Sequence, residues 1–230
     1  MSTKVSILIC AYNEETKIAR AVKSAIEQNF KPEDFEIIVV NDGSTDGTRK
    51  VLGTLLQLFP DRRLRVIDHE KNMGLSAAKN TGIAAALGVY VVYLDANDWF
   101  LRDSILILYD ILSSNPDASF IWPDYYRVDM NESIIGRTTT AEGSGVMFRK
   151  HDIEEVGGFD EALKVFEDKD MYIRLEKAGK KGMHVPCPLY KYEQTPNSLT
   201  RGGLSEKETL KCLSAVTKKH YGDNPDEETP

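Results

Sequence analysis

The chain has 230 residues, 41% of them hydrophobic and 28% charged, which suits one large soluble domain or at most two small ones. Lys and Arg number 29 against 36 Asp and Glu, and the net charge of −7 disfavours a broad nucleic-acid footprint while leaving a local basic groove open. Cys10, Cys187 and Cys212 are odd in number, widely spaced and without a C-x-x-C, so a Cys-only zinc site is excluded and a reducing compartment is expected.

The apolar run from Val5 to Tyr12 is too short for a signal peptide, and the longest apolar stretch, Gly82 to Leu94, is too short to span a bilayer. A cytoplasmic protein with no integral membrane segment is expected. Along the chain, Val5 to Cys10 reads as a strand, and Ile18, Val22, Ala25 and Ile26 recur at helical spacing. Glu36 to Val40 is a second strand, and Val51, Leu55, Leu58 and Phe59 mark a second helix. Leu64 to Ile67, an Ala-rich helix from Ser76 to Leu87, and Tyr90 to Leu94 complete the pattern. Uniformly apolar strands alternating with helices predict a doubly wound, mostly parallel α/β sheet.

The second half is less regular. Ile105 to Leu112 reads as a helix, Ala118 to Trp122 as a strand, and 123–145 as surface loops or a small antiparallel meander. Trp99 and Phe100 are expected to begin the helix after the fourth strand. Glu167 to Ala178, closed by Gly179, and Leu204 to Tyr221 read as helices. A single domain over 1–221 is predicted, with 1–110 and 111–221 as its halves. The acidic stretch 222–230 is expected to be a disordered tail.

Ligands of open parallel sheets bind beyond the carboxyl ends of the strands. Those ends carry Ala11 to Glu15, Asn41 to Thr48, His69 to Gly74, and Asp95 to Asp98. One such loop is ordinary turn and capping chemistry. Four polar ends at one edge, with a carboxylate cluster among them, suggest a cleft. Neither G-x-G-x-x-G nor G-x-x-x-x-G-K-[ST] occurs, so a diphosphate would need another neutralising partner. Asp95-Ala96-Asn97-Asp98 offers oxygen ligands for a hard divalent cation. His69, His151, His184 and His220 show no zinc spacing.

Five blocks in order resemble family 2 glycosyltransferases, which have the GT-A fold. They are Val5 to Glu15, Val39 to Thr48, Asn72 to Ile83, Tyr93 to Asp98, and Val156 to Glu161 followed by Glu167-Asp168 and Tyr172 to Leu175. The resemblance covers roughly residues 4–200. It implies inverting transfer of a single sugar from a nucleotide-diphosphate sugar, with UDP-sugars favoured, to an unidentified acceptor hydroxyl. It assigns Ala11, Tyr12, Glu14, Asp42, Lys79 and Asp95 to the donor, and Asp95 and Asn97 to a Mg²⁺ or Mn²⁺ ion. Asp168 is its catalytic base; by position alone Asp168 is a first-turn acid that complements the helix dipole. Asp98 and Glu167 are supporting candidates, and Trp122 is a candidate acceptor platform.

The chain departs from the family pattern in three places. Asn97 replaces the usual aspartate, Lys79 the usual arginine, and Thr195 stands where a histidine is common. Asn97 and Thr195 motivate a second reading, a nucleotide-sugar-binding homologue with weak or no catalysis. No Gln-x-x-Arg-Trp follows Asp168, which argues against a processive synthase. A nucleotidyltransferase would need a glycine- and basic-rich first loop, and Ala11-Tyr12-Asn13-Glu14 does not supply one.

Overall fold

The computed structural model describes residues 3–141, 143–194 and 206–221. Its elements run β1 (Val5–Ala11), α1 (Ile18–Ile26), β2 (Phe35–Asn41), α2 (Thr48–Leu58), β3 (Leu64–Asp68), α3 (Leu75–Ala85), β4 (Tyr90–Asp95) and β5 (Trp99–Phe100). Then come α4 (Ser104–Ser114), β6 (Ala118–Val128), β7 (Ile134–Thr138), β8 (Met147–Arg149), α5 (Lys150–Glu155), α6 (Glu167–Lys177), β9 (Lys181–Glu193) and α7 (Glu206–Tyr221).

The sheet order is β3-β2-β1-β4-β8-β6-β9-β5, with β7 beside β6. The first four strands are parallel, as expected. β8 then pairs antiparallel with both β4 and β6, while β6 and β9 are parallel. Alternation along the strands fills both faces of the sheet. Val5, Ile7 and Ile9 point into one core with Ile37, Val39, Val92 and Leu94, covered by α1, α2 and α4. Leu8, Ile38, Val40, Val91 and Tyr93 point into the other, under α3 and α6.

A buried polar node closes the amino end of the sheet. Glu36, 2% exposed, accepts hydrogen bonds from Ser6 Oγ (2.7 Å), the Leu87 amide (2.7 Å) and Arg65 (2.7 Å). Paired in this way, a charge is tolerated within an otherwise apolar strand.

Three expectations change. Trp99 and Phe100 form β5 against Lys191 and Tyr190 rather than starting a helix. The strand from Ala118 continues to Val128 and turns into β7, the antiparallel element expected in 123–145. α3 ends at Ala85, because Ala86 is already extended at ψ 133°. The expected tail at 222–230 lies outside the described residues, and no described helix is long and apolar enough to cross a membrane.

The turn after β2 depends on Gly43, at φ +68°. A Cβ built there would stand 2.3 Å from the Lys71 carbonyl carbon. Gly43→Ala should therefore lose about 1–3 kcal/mol of stability from backbone strain, with the clash adding to it. Urea unfolding would measure the loss, and an unchanged midpoint would contradict this packing.

Candidate active site

The strand ends converge as the parallel register requires: Cys10 lies beside Asp95 and Val40, and Ala11 beside Asn41. The loops after β1 and β2 are laced together. Asn13, at φ 56°, donates its amide to Ser44 Oγ (3.0 Å) and accepts from the Thr45 amide through Oδ1 (2.8 Å). The Glu14 amide donates to Thr48 Oγ1 (2.8 Å), and Glu15 Oε2 accepts from the Gly47 amide (2.7 Å). These bonds hold Tyr12 outward, 46% exposed, while the Ala11 side chain is buried in the core. The Glu14 carboxyl is half-buried, and desolvation raises it against the pull of Lys17.

Asp42 is buried and its carboxylate is well occupied. Oδ1 lies 2.7 Å from His69 Nδ1 and accepts from the Met73 amide (2.8 Å), while Oδ2 accepts from the Gly74 amide (2.9 Å). In this arrangement Asp42 shapes the loop between β3 and α3. Sequence reasoning did not pair it with His69.

Asp95 ends β4, and its amide donates to Ser144 Oγ (2.9 Å). Burial raises its carboxyl, with Lys79 opposing. Asp98 is completely buried: Oδ1 accepts from the Glu193 amide (3.0 Å), and Oδ2 has no hydrogen-bond partner among the described residues. Burial first, then the nearby Asp95, holds the Asp98 carboxyl well above the usual range. The Asn97 amide nitrogen faces the Glu193 carbonyl at 3.5 Å. The loop thus collects hard oxygen donors, among them a carboxylate oxygen with no hydrogen-bond partner among the described residues, a donor set that fits a divalent cation.

The opposite wall is the first turn of α6. Phe166, in the left-handed region at φ 63°, turns the chain into the helix, so Glu167 and Asp168 face inward. The structure places Lys79 beneath these acids instead of on an open donor surface. It is 1% exposed, with Nζ 2.8 Å from Glu167 Oε1 and 2.6 Å from Asp168 Oδ1. The ammonium also lies over the Phe159 and Tyr93 rings, 4.8 and 5.4 Å from their centroids. Burial would lower its pKa, but Asp168, Glu167 and Asp95 outweigh that and raise it well above the ordinary value.

Asp168 keeps 23% of its side chain exposed, and burial raises its carboxyl to about 6 despite Lys79. Gly143 lies between the two walls. A Cβ built on it would be 3.1 Å from Asp168 Oδ2 and 3.6 Å from Asp95 Oδ2. The Gly143-Ser144-Gly145 run was a signal for this close approach that the sequence reading did not use. Farther along α6, the fully buried Asp170 accepts from Arg174 (2.8 Å) and Lys219 (2.6 Å) and lies 2.8 Å from His220, tying α6 to α7.

Trp122 stacks on His184 with centroids 5.7 Å apart and donates Nε1–H to the Thr139 carbonyl (3.2 Å). Its neighbours are thus protein groups on β6, β9 and the segment after β7. Thr195 lies outside the described residues.

The family model "Glycosyl transferase family 2" matches residues 6–182. The chain is 31% identical over 195 residues to chondroitin synthase of Pasteurella multocida (strain Pm70), covering 76% of this chain and 19% of that protein. It is 38% identical over 106 residues to glycosyltransferase GlyA of Streptococcus pneumoniae, covering 46% of this chain and 14% of that one. The chain therefore spans about a fifth or less of the length of these curated relatives. Mannosyltransferase PcManGT from Pyrobaculum calidifontis, in complex with GDP-Man and Mn²⁺, superposes with a TM-score of 0.79 at 18% identity, covering 100% of this chain and 66% of that chain. S. aureus TarS in complex with UDP-GlcNAc superposes with a TM-score of 0.75 at 17% identity, covering 94% and 66%. At these identities the likeness shows the fold, which is GT-A.

Lys79→Met would leave the buried Glu167 and the partly buried Asp168 carboxylates without their counter-charge. A loss of about 3–5 kcal/mol is expected, measured by urea unfolding at neutral pH. A near-native midpoint would mean that the pairs contribute little.

Proposed function

The chain belongs to glycosyl transferase family 2, and we propose that it transfers a single sugar from a nucleotide-diphosphate sugar to an acceptor hydroxyl, with inversion at the anomeric carbon. One observation carries this reading: the partly exposed Asp168 carboxylate, steadied by Lys79, stands across Gly143 from Asp95 at the carboxyl edge of the parallel strands. That edge is where such sheets bind nucleotides.

In the proposed step, Asp168 takes the proton of the acceptor hydroxyl. The acceptor oxygen bonds to the anomeric carbon from the face opposite the diphosphate. The old carbon–oxygen bond breaks, and its electron pair leaves on the nucleoside diphosphate. Asp95 and Asn97, with Asp98, would hold a Mg²⁺ or Mn²⁺ ion, which when bound neutralises charge on the departing diphosphate. The Mn²⁺ bound by the mannosyltransferase neighbour supports a divalent ion here. The neutral Asn97 amide supplies a weaker ligand than a carboxylate would.

Tyr12 and Glu14 are the donor-side groups that the packed loops leave nearest the surface, and a UDP-sugar is the donor we favour. UDP, UDP-GlcNAc and GDP-Man complexes among the structural neighbours support the nucleotide-sugar class. A cytoplasmic setting is proposed on cysteine usage, with Glu167 acting through Lys79 and Trp122 on the acceptor side.

Asp168 works as a base only when ionised. Its carboxyl lies at about 6, so kcat/KM should rise as pH passes through that value and level off above it. Asp168→Asn should lower kcat by about 10²–10⁴-fold and leave donor affinity intact by calorimetry. Turnover unchanged in the variant would overturn the base. Donor binding by the wild type with no turnover across a broad acceptor panel would favour a binding homologue.

A further inference from the structure

Arg20, on α1, was not singled out by any sequence motif, yet its one side chain reaches four separate segments of the chain. One guanidinium nitrogen donates to the Asn97 carbonyl (2.8 Å) and also to Glu193 Oε2. The other donates to Glu132 Oε1 (2.8 Å), and the guanidinium lies 3.6 Å above the Trp99 ring. A single side chain thereby holds the loop at 95–98, the strand that follows it, the turn between β6 and β7, and the last residue of β9.

Glu193 completes the arrangement. It is 4% exposed and takes a second cation, Lys17 Nζ, at 2.8 Å. Its amide donates to Asp98 Oδ1 (3.0 Å), and its carbonyl faces the Asn97 amide nitrogen (3.5 Å). That last contact gives the Asn97 nitrogen a protein partner and leaves Oδ1 as the atom able to ligate a cation. Two cations, Lys17 and Arg20, thus converge on the Glu193 carboxyl, and the geometry is fixed by a bridging guanidinium that a lysine cannot reproduce.

We infer that Arg20 and Glu193 are positioning residues for the cation site, a clasp that sets the backbone of residues 97–98 and the orientation of the Asn97 amide. The inference rests on the proposed role of Asp95, Asn97 and Asp98 as cation ligands. It has a particular place in this chain, where the principal ligand is an uncharged amide. Such an amide offers one oxygen in one orientation, whereas a carboxylate offers two equivalent oxygens. Groups behind the ligands then decide how well the site binds.

The test is Mn²⁺ titration followed by electron paramagnetic resonance with UDP present and no acceptor, so that no turnover enters the readout. Arg20→Met and Glu193→Gln should each weaken Mn²⁺ binding by about 10–100-fold, with Arg20→Lys in between. Glu132→Ala, at a side chain 53% exposed, should bind like the wild type. The Mn²⁺ concentration for half-maximal activity should rise in step, with kcat near normal once the ion saturates. Far-UV circular dichroism identifies any variant that fails to fold, and the milder Arg20→Lys then carries the comparison. Normal Mn²⁺ affinity in folded Arg20→Lys and Glu193→Gln would overturn the clasp alone. A wild type that binds no Mn²⁺ would overturn the cation-site reading and this inference together.

Discussion

A buried ammonium group opposed by carboxylates is the interaction on which the site depends. Lys79 has lost nearly all of its water, and so has Glu167. Each charge would be costly there alone, and together they are tolerable only because the pairing is close and the rings of Phe159 and Tyr93 face the same ammonium. The constraint reaches into the fold. α3 must present Lys79 from one side, α6 must begin where its first turn meets that group, and the sheet must deliver Asp95 to the same place. Phe166 takes a left-handed conformation, which an aromatic residue rarely adopts, at the entry to α6.

The second half of the chain serves this arrangement by bracing it. Asp170 locks α6 to α7 through Arg174, Lys219 and His220. On the far side of the sheet, β6 and β9 run in parallel for most of their length and bring Glu193 to the loop at 95–98. Trp122 and His184 stack on that same pair of strands, with Asp124 2.6 Å from His184 and bonded to Arg137. The second half is thus a polar and aromatic surface built on strands, rather than a set of loops laid over the first half.

How much of this was legible follows from the physics of each part. β1, β2 and β4 were plain because both faces are buried, so nearly every residue is apolar. β9 was missed because Lys181, Gly182, Pro186, Pro188 and Lys191 interrupt any periodic signal along it. β5 is two residues long and exists only because β9 lies beside it. Asp95 and Asp168 were legible from their blocks, as was a cluster of acids at one sheet edge. The partner of Asp168 was not, because Lys79 lies 89 residues away and a lysine in that block reads equally well as a phosphate contact. Arg20 and Glu193, 173 residues apart, carry no local pattern at all.

Gly143, at φ +26°, matters for its volume as well as its backbone angle. Its missing side chain keeps open the space between the carboxyl oxygens of Asp168 and Asp95. Even one methyl group there would crowd the Asp168 carboxylate, the group proposed to receive the acceptor's proton. The chain thus encodes part of the cleft's outline as an omission: a volume kept free by the smallest residue, whose replacement would strain a backbone at φ +26° and narrow what can enter.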